Sequence, residues 1–446
     1  MALRSNSPTS ERRRPHGGEP IGIGLLGCGV VGGGVLKLLQ ANAEAFQARV
    51  GVPLEVRRVL VRDLDKPRVV ELDRAVLTTD PDAVLTDPSV EVVIEVIGGE
   101  EPAGQYVERA LGSGRCVVTA NKALLAARGP ALLDLADERR VDLAFEAAVG
   151  GGIPVVRTLR DAFASDDVFE MAGILNGTCN YILTRMIDDG VTFESALADA
   201  QAKGYAEADP TLDTGGFDAA HKLVVLAMLA FGARPPHDGM VIEGIDGLEL
   251  KDIEIAARLG YTVKHLVIGR DHGAAVELRA HPTLIRRTSV LGSVSGVLNG
   301  IKLEGRALGP CFLSGRGAGD MPTAVSVVAD LLDVARSLVA GVPGLVTGGR
   351  RLVKRPLLAP GEATMRHYLR LRVRDEPGVM ARVAGALGDA GVSLSQIEQA
   401  EGKGGEADIV LVTHRAKDGA ITTALEAMKK SADLVKGAVH LRIEEL

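Results

Sequence analysis

Four carboxylates and a lysine crowd residues 204–222, GYAEADPTLDTGGFDAAHK: Glu207, Asp209, Asp213 and Asp218, then Lys222. Pro210 and the glycines at 204, 215 and 216 fix the turns between them. Side chains of these types can hold a cationic ligand and move a proton. The following segment, FDAAHKLVVLAMLAF, reads as a helix that begins near Gly215. Asp218 and Lys222 are four apart and share one face of it. That face continues through the apolar Val225 and Leu229. A carboxylate and an ammonium on a core-facing stripe are costly to bury unless each is paired or used. A catalytic or ligand site and a structural ion pair behind an acidic turn both satisfy that condition, and the residues alone leave the two open.

A second constellation stands at residues 21–46. IGIGLL is a short apolar strand, Gly27, Gly29 and Gly32 give G-x-G-x-x-G, and VVGGGVLKLLQAN is a helix. The turn lets a pyrophosphate approach backbone N–H groups at a helix start, including those of Val30 and Val31. Its position after a strand and before a helix is the context that gives the fingerprint meaning. At the end of the next strand, LEVRRVLV (54–61), stands Arg62, with Asp63, Lys66 and Arg68 close by. An arginine there suits the 2′-phosphate of NADP, with NAD as the alternative.

The elements that must position these groups follow in order. VEVVIEVIGG (90–99), CVVT (116–119) and VDLAFEA (141–147) read as further buried parallel-type strands. Lys122 follows the second of them, at the crevice where open α/β sheets bind ligands. Glu146 and the glycine run VGGGIP (149–154) bring a carboxylate and backbone carbonyls together, which holds a hard cation or merely turns the chain. From about residue 155 the alternation is lost. VVRTLRDAF, NGTCNYILTRMID, ESALADAQAKG, GLELKDIEIAARLG and PTAVSVVADLLDVARSL read as helices; VFEMAGIL, YTVKHLVIGRD and AVELRAHPTLI read as strands. Residues 343–364 mix Pro, Gly and basic residues and read as a linker. The remainder runs strand, helix, strand, strand, helix, strand, the ferredoxin-like split βαβ order.

The fold expected is therefore α/β in three parts. A disordered tail (1–20) precedes a Rossmann-type dinucleotide-binding domain (21–150, with part of 310–340). An α+β substrate and dimerisation domain (151–320) follows, and after the linker a ferredoxin-like regulatory domain (365–446). With 446 residues and a net charge of −7, the chain suits two or three domains and no nucleic-acid partner. No apolar run approaches the roughly 18 residues that span a bilayer, so no membrane partner is expected. Cys28, Cys116, Cys179 and Cys311 lack zinc or disulfide spacing, which fits a reducing cytoplasm.

Six stretches in serial order carry a resemblance. GLLGCGVVGGG, TANKALLA, FEAAVGGGIPVV, GILNGTCNYILT, GYAEADPTLDTGGFDAAHK and GRGAGDMPTA resemble the motifs of homoserine dehydrogenase, over roughly residues 20–340. The tail, with DEPGVMARVAGALGDAGVSL, resembles an ACT domain, an amino-acid-sensing module. The resemblance implies NAD(P)-dependent interconversion of L-homoserine and L-aspartate 4-semialdehyde, in threonine, methionine and isoleucine biosynthesis. It implies that Lys222 gives or takes the proton of the reacting oxygen and that Glu207, Asp213 and Asp218 line the substrate site. Lys122 would stand near the cofactor and the reacting group, and Gly319 would contact the cofactor. Glu146 with the carbonyls of Val149, Gly151 and Ile153 would hold a monovalent cation, sodium or potassium. The ACT module implies feedback by L-threonine and a homodimer or homotetramer. Two rival readings are a semialdehyde dehydrogenase with Cys179 as nucleophile and a non-enzymatic amino-acid sensor.

Overall fold

The structure, a computed structural model, describes residues 18–234, 239–347, 352–401, 404–430 and 433–446. Nearly all of the expected N-terminal tail lies outside the described residues. The chain forms two compact units: one takes it up to Val156 and regains it at Ala318–Arg350, the other comprises Arg157–Gly317 and Arg351–Leu446.

In the first unit six parallel strands form one sheet. Their order is Leu77–Thr78, Leu54–Leu60, Ile21–Leu26, Val92–Glu95, Cys116–Thr119, Leu143–Ala144. The order reverses beside Ile21–Leu26, which opens a crevice at the carboxyl ends of the central strands. Ile21–Leu26 is buried along its whole length, as its unbroken apolar run requires. Two strands are shorter than their apolar runs. The run 90–99 pairs only over Val92–Glu95, because Gly98 and Gly99 take φ of 81° and 75° and turn the chain away. The run 141–147 pairs only over Leu143–Ala144, since Glu146–Ala148 coil into a 3-10 turn. The helix Val30–Ala41 crosses the long helix Asp320–Val339 closely: a Cβ on Gly34 would come within 2.9 Å of the Ala324 Cβ.

In the second unit an 11-stranded sheet runs Gly309–Arg316, Leu298–Gly305, Val168–Ile174, Tyr261–Asp271, Val276–Arg286, Val439–Glu444, Thr364–Arg374, Glu406–Thr413, Leu394–Glu401, with two short strands paired at its side. The last four in that list, with the helices Val379–Asp389 and Asp418–Lys429, are the split βαβ module read from the tail. The module does not stand apart. Its strand Val439–Glu444 pairs in parallel with Val276–Arg286, so the two sheets are continuous. The hairpin Leu298–Gly305/Gly309–Arg316 was not expected either; its glycines and proline depress any strand signal. The segment expected as a linker is pinned where it is described. Val353–Lys354 pairs with Ala233–Arg234, Leu358 N–H donates to the Val276 carbonyl (2.8 Å), and Arg355 is ion-paired with Asp271.

Charge pairs lock this seam. Arg270 donates to Glu170 (2.6 Å) and Glu444 (2.7 Å), and Arg279 donates to Glu444 (2.7 Å), tying four strands together. Arg370 forks onto Asp252 at 2.6 and 2.8 Å, and the Tyr368 hydroxyl donates to the same carboxylate at 2.8 Å. Asp252 has no solvent exposure and belongs to the helix Leu250–Arg258. Removing only the cation would strand a buried carboxylate. Arg370→Ala is expected to lower unfolding free energy by about 3–5 kcal/mol, and Arg370→Leu with Asp252→Leu to recover most of it, in denaturant titration. Equal losses in both variants would assign the cost to packing.

Candidate active site

In the first unit, Gly27 takes φ of 102°, and a Cβ there would sit 3.1 Å from the Val96 carbonyl oxygen. A Cβ on Gly32 would lie 2.2 Å from the Gly27 carbonyl oxygen, so the turn closes onto the helix only with hydrogen there. Gly29 is the N-cap of the helix Val30–Ala41 and has open space where its side chain would be. The first-turn N–H groups of Val30 and Val31 have no partner within the helix. A cavity of about 520 Å³ lies over this turn. It is lined by Gly27 and Gly29, by Arg62 and Lys66, and by Ile97 and Tyr106 among others. Arg68 closes the rim by donating to the carbonyls of Asp63, Leu64 and Lys66. Arg62 and Lys66 are exposed and carry no side-chain bond among the described residues. Burial pushes the Cys28 thiol up, partly offset by Arg68, so it is no nucleophile.

Glu95, fully buried, organises the neighbouring loops. It accepts from the N–H groups of Ile97 (2.8 Å) and Gly98 (3.1 Å) and from the Thr119 hydroxyl (2.6 Å). Asn121 caps the helix Lys122–Arg139 through Leu124 N–H (3.1 Å) and donates to the Gly99 carbonyl (2.6 Å). Lys122 thereby stands half-buried at the helix start. Gly319, with φ of 129°, is the N-cap of Asp320–Val339 and belongs to the same unit. Glu146 is buried, and its carboxylate accepts from Val156 N–H at 2.9 Å. Among the neighbouring carbonyls, that of Gly151 accepts from Ser326 (2.6 Å) and that of Ile153 from Val155 N–H (2.8 Å). Each carbonyl keeps a second lone pair.

In the second unit, the helix Phe217–Phe231 carries Asp218 and Lys222, which are 7% and 8% exposed. The Lys222 ammonium donates to Asp218 Oδ2 and to the Leu175 carbonyl, both at 2.7 Å. Asn176 was absent from the sequence reading and turns out to be central. Its amide donates to Asp213 Oδ1 (2.7 Å) and Asp218 Oδ2 (2.9 Å), while its oxygen caps the helix Gly177–Asp189 at Cys179 N–H (2.8 Å). The signal that could have found it is an asparagine before Gly-Thr at the start of a helix. Thr178 approaches Asp213 from the same turn at 3.4 Å. Asp209 faces away from this work, capping Thr211 through backbone and hydroxyl (3.1 and 2.6 Å). Glu207 is exposed, and its carboxylate has no partner among the described residues. The structure thus joins Asp213, Asp218 and Lys222 in one network and leaves Glu207 exposed outside it.

Cys179 is fully buried and donates to the Asp213 carbonyl at 3.1 Å. Burial first, then the charges of Asp213 and Asp218, push its thiol well above the usual range. A thiol so placed is not an activated nucleophile. His265 lies beneath Gly216, holds the Glu243 carbonyl at 3.0 Å, and is pushed down to about 4 by burial, so it is neutral near pH 7.

Three family models match the chain. Residues 27–146 match the model of the homoserine dehydrogenase NAD-binding domain, 154–332 that of homoserine dehydrogenase, and 367–430 that of the ACT domain. The chain is 41% identical to the homoserine dehydrogenase of Pseudomonas aeruginosa, over 96% of this chain and 100% of that one. It is likewise 41% identical to that of Bacillus subtilis, over 92% and 94%. Among solved structures, a homoserine dehydrogenase from Thiobacillus denitrificans superposes with a TM-score of 0.90 at 40% identity, over 96% of this chain and 99% of that one. A hyperthermophilic archaeal homoserine dehydrogenase in complex with NADPH shares the fold, at 23% identity and a TM-score of 0.60 over 71% and 97%. With a turn shaped for a dinucleotide, a buried lysine–carboxylate network and matches across nearly its whole length, the chain belongs to the homoserine dehydrogenase family, oxidoreductases that act on a CH–OH group.

Proposed function

We propose that the chain interconverts L-homoserine and L-aspartate 4-semialdehyde with NADP, using Lys222 to take or give the proton of the alcohol oxygen. The observation that carries this is the network of Asn176, Asp213, Asp218 and Lys222. An ammonium has three donors, and two of those on Lys222 are already engaged. The third is available to a substrate oxygen. Asp213 and the exposed Glu207 supply negative charge for the α-ammonium of homoserine. In the oxidation direction Lys222 starts unprotonated and takes up the hydroxyl proton as the aldehyde forms. A nicotinamide cofactor held over the Gly27–Gly32 turn would supply the hydride acceptor. Lys122, held at its helix start by Asn121, is read as a further catalytic and cofactor-binding residue, as the resemblance implies. The test is reduction of NADP by homoserine, followed spectrophotometrically. Lys222→Ala is expected to lower kcat by about 100-fold or more. Near wild-type turnover would remove Lys222 from the mechanism.

Asn176 is assigned a positioning role on the same grounds. Asn176→Ser keeps an oxygen that caps the helix but loses both amide donors to the carboxylates. The expected result is a loss of kcat/KM of about tenfold or more with thermal stability nearly kept. A matching fall in melting temperature would make the residue structural instead.

NADP is preferred over NAD in this reading because Arg62 and Lys66 line the cavity at the end of the strand Leu54–Leu60 without side-chain partners among the described residues. Arg62→Ala should raise KM for NADP at least about tenfold and change KM for NAD far less, since it removes a charge-assisted contact to phosphate. Equal effects on both would assign Arg62 to the shared part of the cofactor. The carboxylate of Glu146 and the carbonyls of Val149, Gly151 and Ile153 are all hard oxygen donors of low total charge, which suits sodium or potassium. Activity that is unchanged when both are replaced by tetramethylammonium would remove the cation. Feedback by L-threonine through the ACT module, and assembly as a homodimer or homotetramer, rest on the module's presence and on sheet edges at Gly309–Arg316 and Leu394–Glu401 that no further strand covers among the described residues. Inhibition titrations with threonine and a solution mass decide those two. Four free cysteines fit a cytoplasmic setting, and among the described residues no helix is long and apolar enough to cross a membrane.

A further inference from the structure

Away from the lysine network, three lone-pair atoms converge where the ACT module meets the rest of its sheet. His367 lies on the strand Thr364–Arg374 and His440 on Val439–Glu444. The antiparallel register sets His367 opposite Arg442 and Leu369 opposite His440. The two imidazoles are therefore diagonal neighbours on one face. Asp418 is the first residue of the helix Asp418–Lys429, tied there by its N–H to the Ala363 carbonyl (2.9 Å). His367 Nδ1 is 3.0 Å from His440 Nε2, and Asp418 Oδ1 is 3.8 and 3.9 Å from those two atoms. The point equidistant from three atoms so spaced lies about 2.1 Å from each, the bond length of a nitrogen- or oxygen-bound zinc.

The surroundings prepare these atoms for a metal. His367 Nε2 is 3.2 Å from the Ala416 carbonyl. A proton held there leaves the Nδ1 lone pair facing the cluster, as a metal-ligating histidine requires. His367 is fully buried, whereas the His440 side chain keeps 18% exposure and gives a route in. One feature opposes a dication: Arg442 donates to both Asp418 oxygens at 3.0 and 3.2 Å. Glu243, 2.8 Å from the same guanidinium, offsets part of that charge. A carboxylate oxygen also has lone pairs for an arginine and a metal together.

We propose that His367 Nδ1, His440 Nε2 and Asp418 Oδ1 form a site for a borderline divalent cation of the zinc or cobalt type, with water completing its coordination. The donor set, two imidazoles and one carboxylate, selects such ions over magnesium or calcium. A metal there would clamp two strands and a helix start of the ACT module at the seam with Val276–Arg286.

The probe is Co²⁺, titrated into untagged full-length protein that has been stripped with chelator and desalted. The expected result is visible ligand-field absorption that saturates at one equivalent per chain, without a thiolate charge-transfer band. His440→Ala, at the most exposed ligand, is expected to weaken Co²⁺ binding by at least about 100-fold while the metal-free melting temperature stays close to wild type. If that variant fails to fold, His440→Gln takes its place. No ligand-field absorption in the wild type, a thiolate band, or undiminished binding in the His440 variant would each overturn the proposal and leave two imidazoles sharing a hydrogen bond.

Discussion

A buried ammonium has to be satisfied donor by donor, and that requirement at Lys222 organises the second unit. Taking such a charge out of water costs several kcal/mol unless partners are fixed in place. Lys222 meets the requirement with the carbonyl that ends one strand and a carboxylate one turn earlier on its own helix. Asn176 then holds that carboxylate and a second one, while its own oxygen starts another helix. A strand end, two helix starts and an acidic turn must therefore meet at one place. Cleaving any one of them from the others leaves a buried charge or a buried amide without a partner.

The same field decides what the site cannot do. Carboxylates that suit an ammonium also oppose a thiolate, and Cys179 sits among them fully buried. The result is a network whose charge opposes a thiolate and so disfavours acyl chemistry through sulfur. In the first unit shape sets the turn. Gly27 and Gly32 leave no room for a methyl group against neighbouring carbonyls, so the turn closes tightly, and Gly29 leaves open space beside the backbone N–H groups of the helix start.

Local constraints were legible in the sequence, and distant ones were not. The glycine turn could be read because its closure is local: Gly32 meets the carbonyl of Gly27. The Asp218–Lys222 pair could be read because helix periodicity alone puts the two together. Asn176 could not, since its partners are 37 and 42 residues along the chain. The glycine-bearing hairpin 298–316 hides its strands, and the continuity of the two sheets rests on a pairing that no local pattern encodes. The stretch around 352–364 looked like a linker because its partners, Gly232 and Val276, are equally remote.

That continuity has a consequence for how the protein is made. Thr283 pairs with Arg442, so the Thr283–Ile285 part of the flank of Val276–Arg286 waits for residues synthesised roughly 160 positions later. Arg279 and Ala280 pair with Val241 and Ile242, which are already made. The seam between the two sheets therefore closes only after the last strand has left the ribosome, and its three open residues are short enough to be a small target for nascent neighbours.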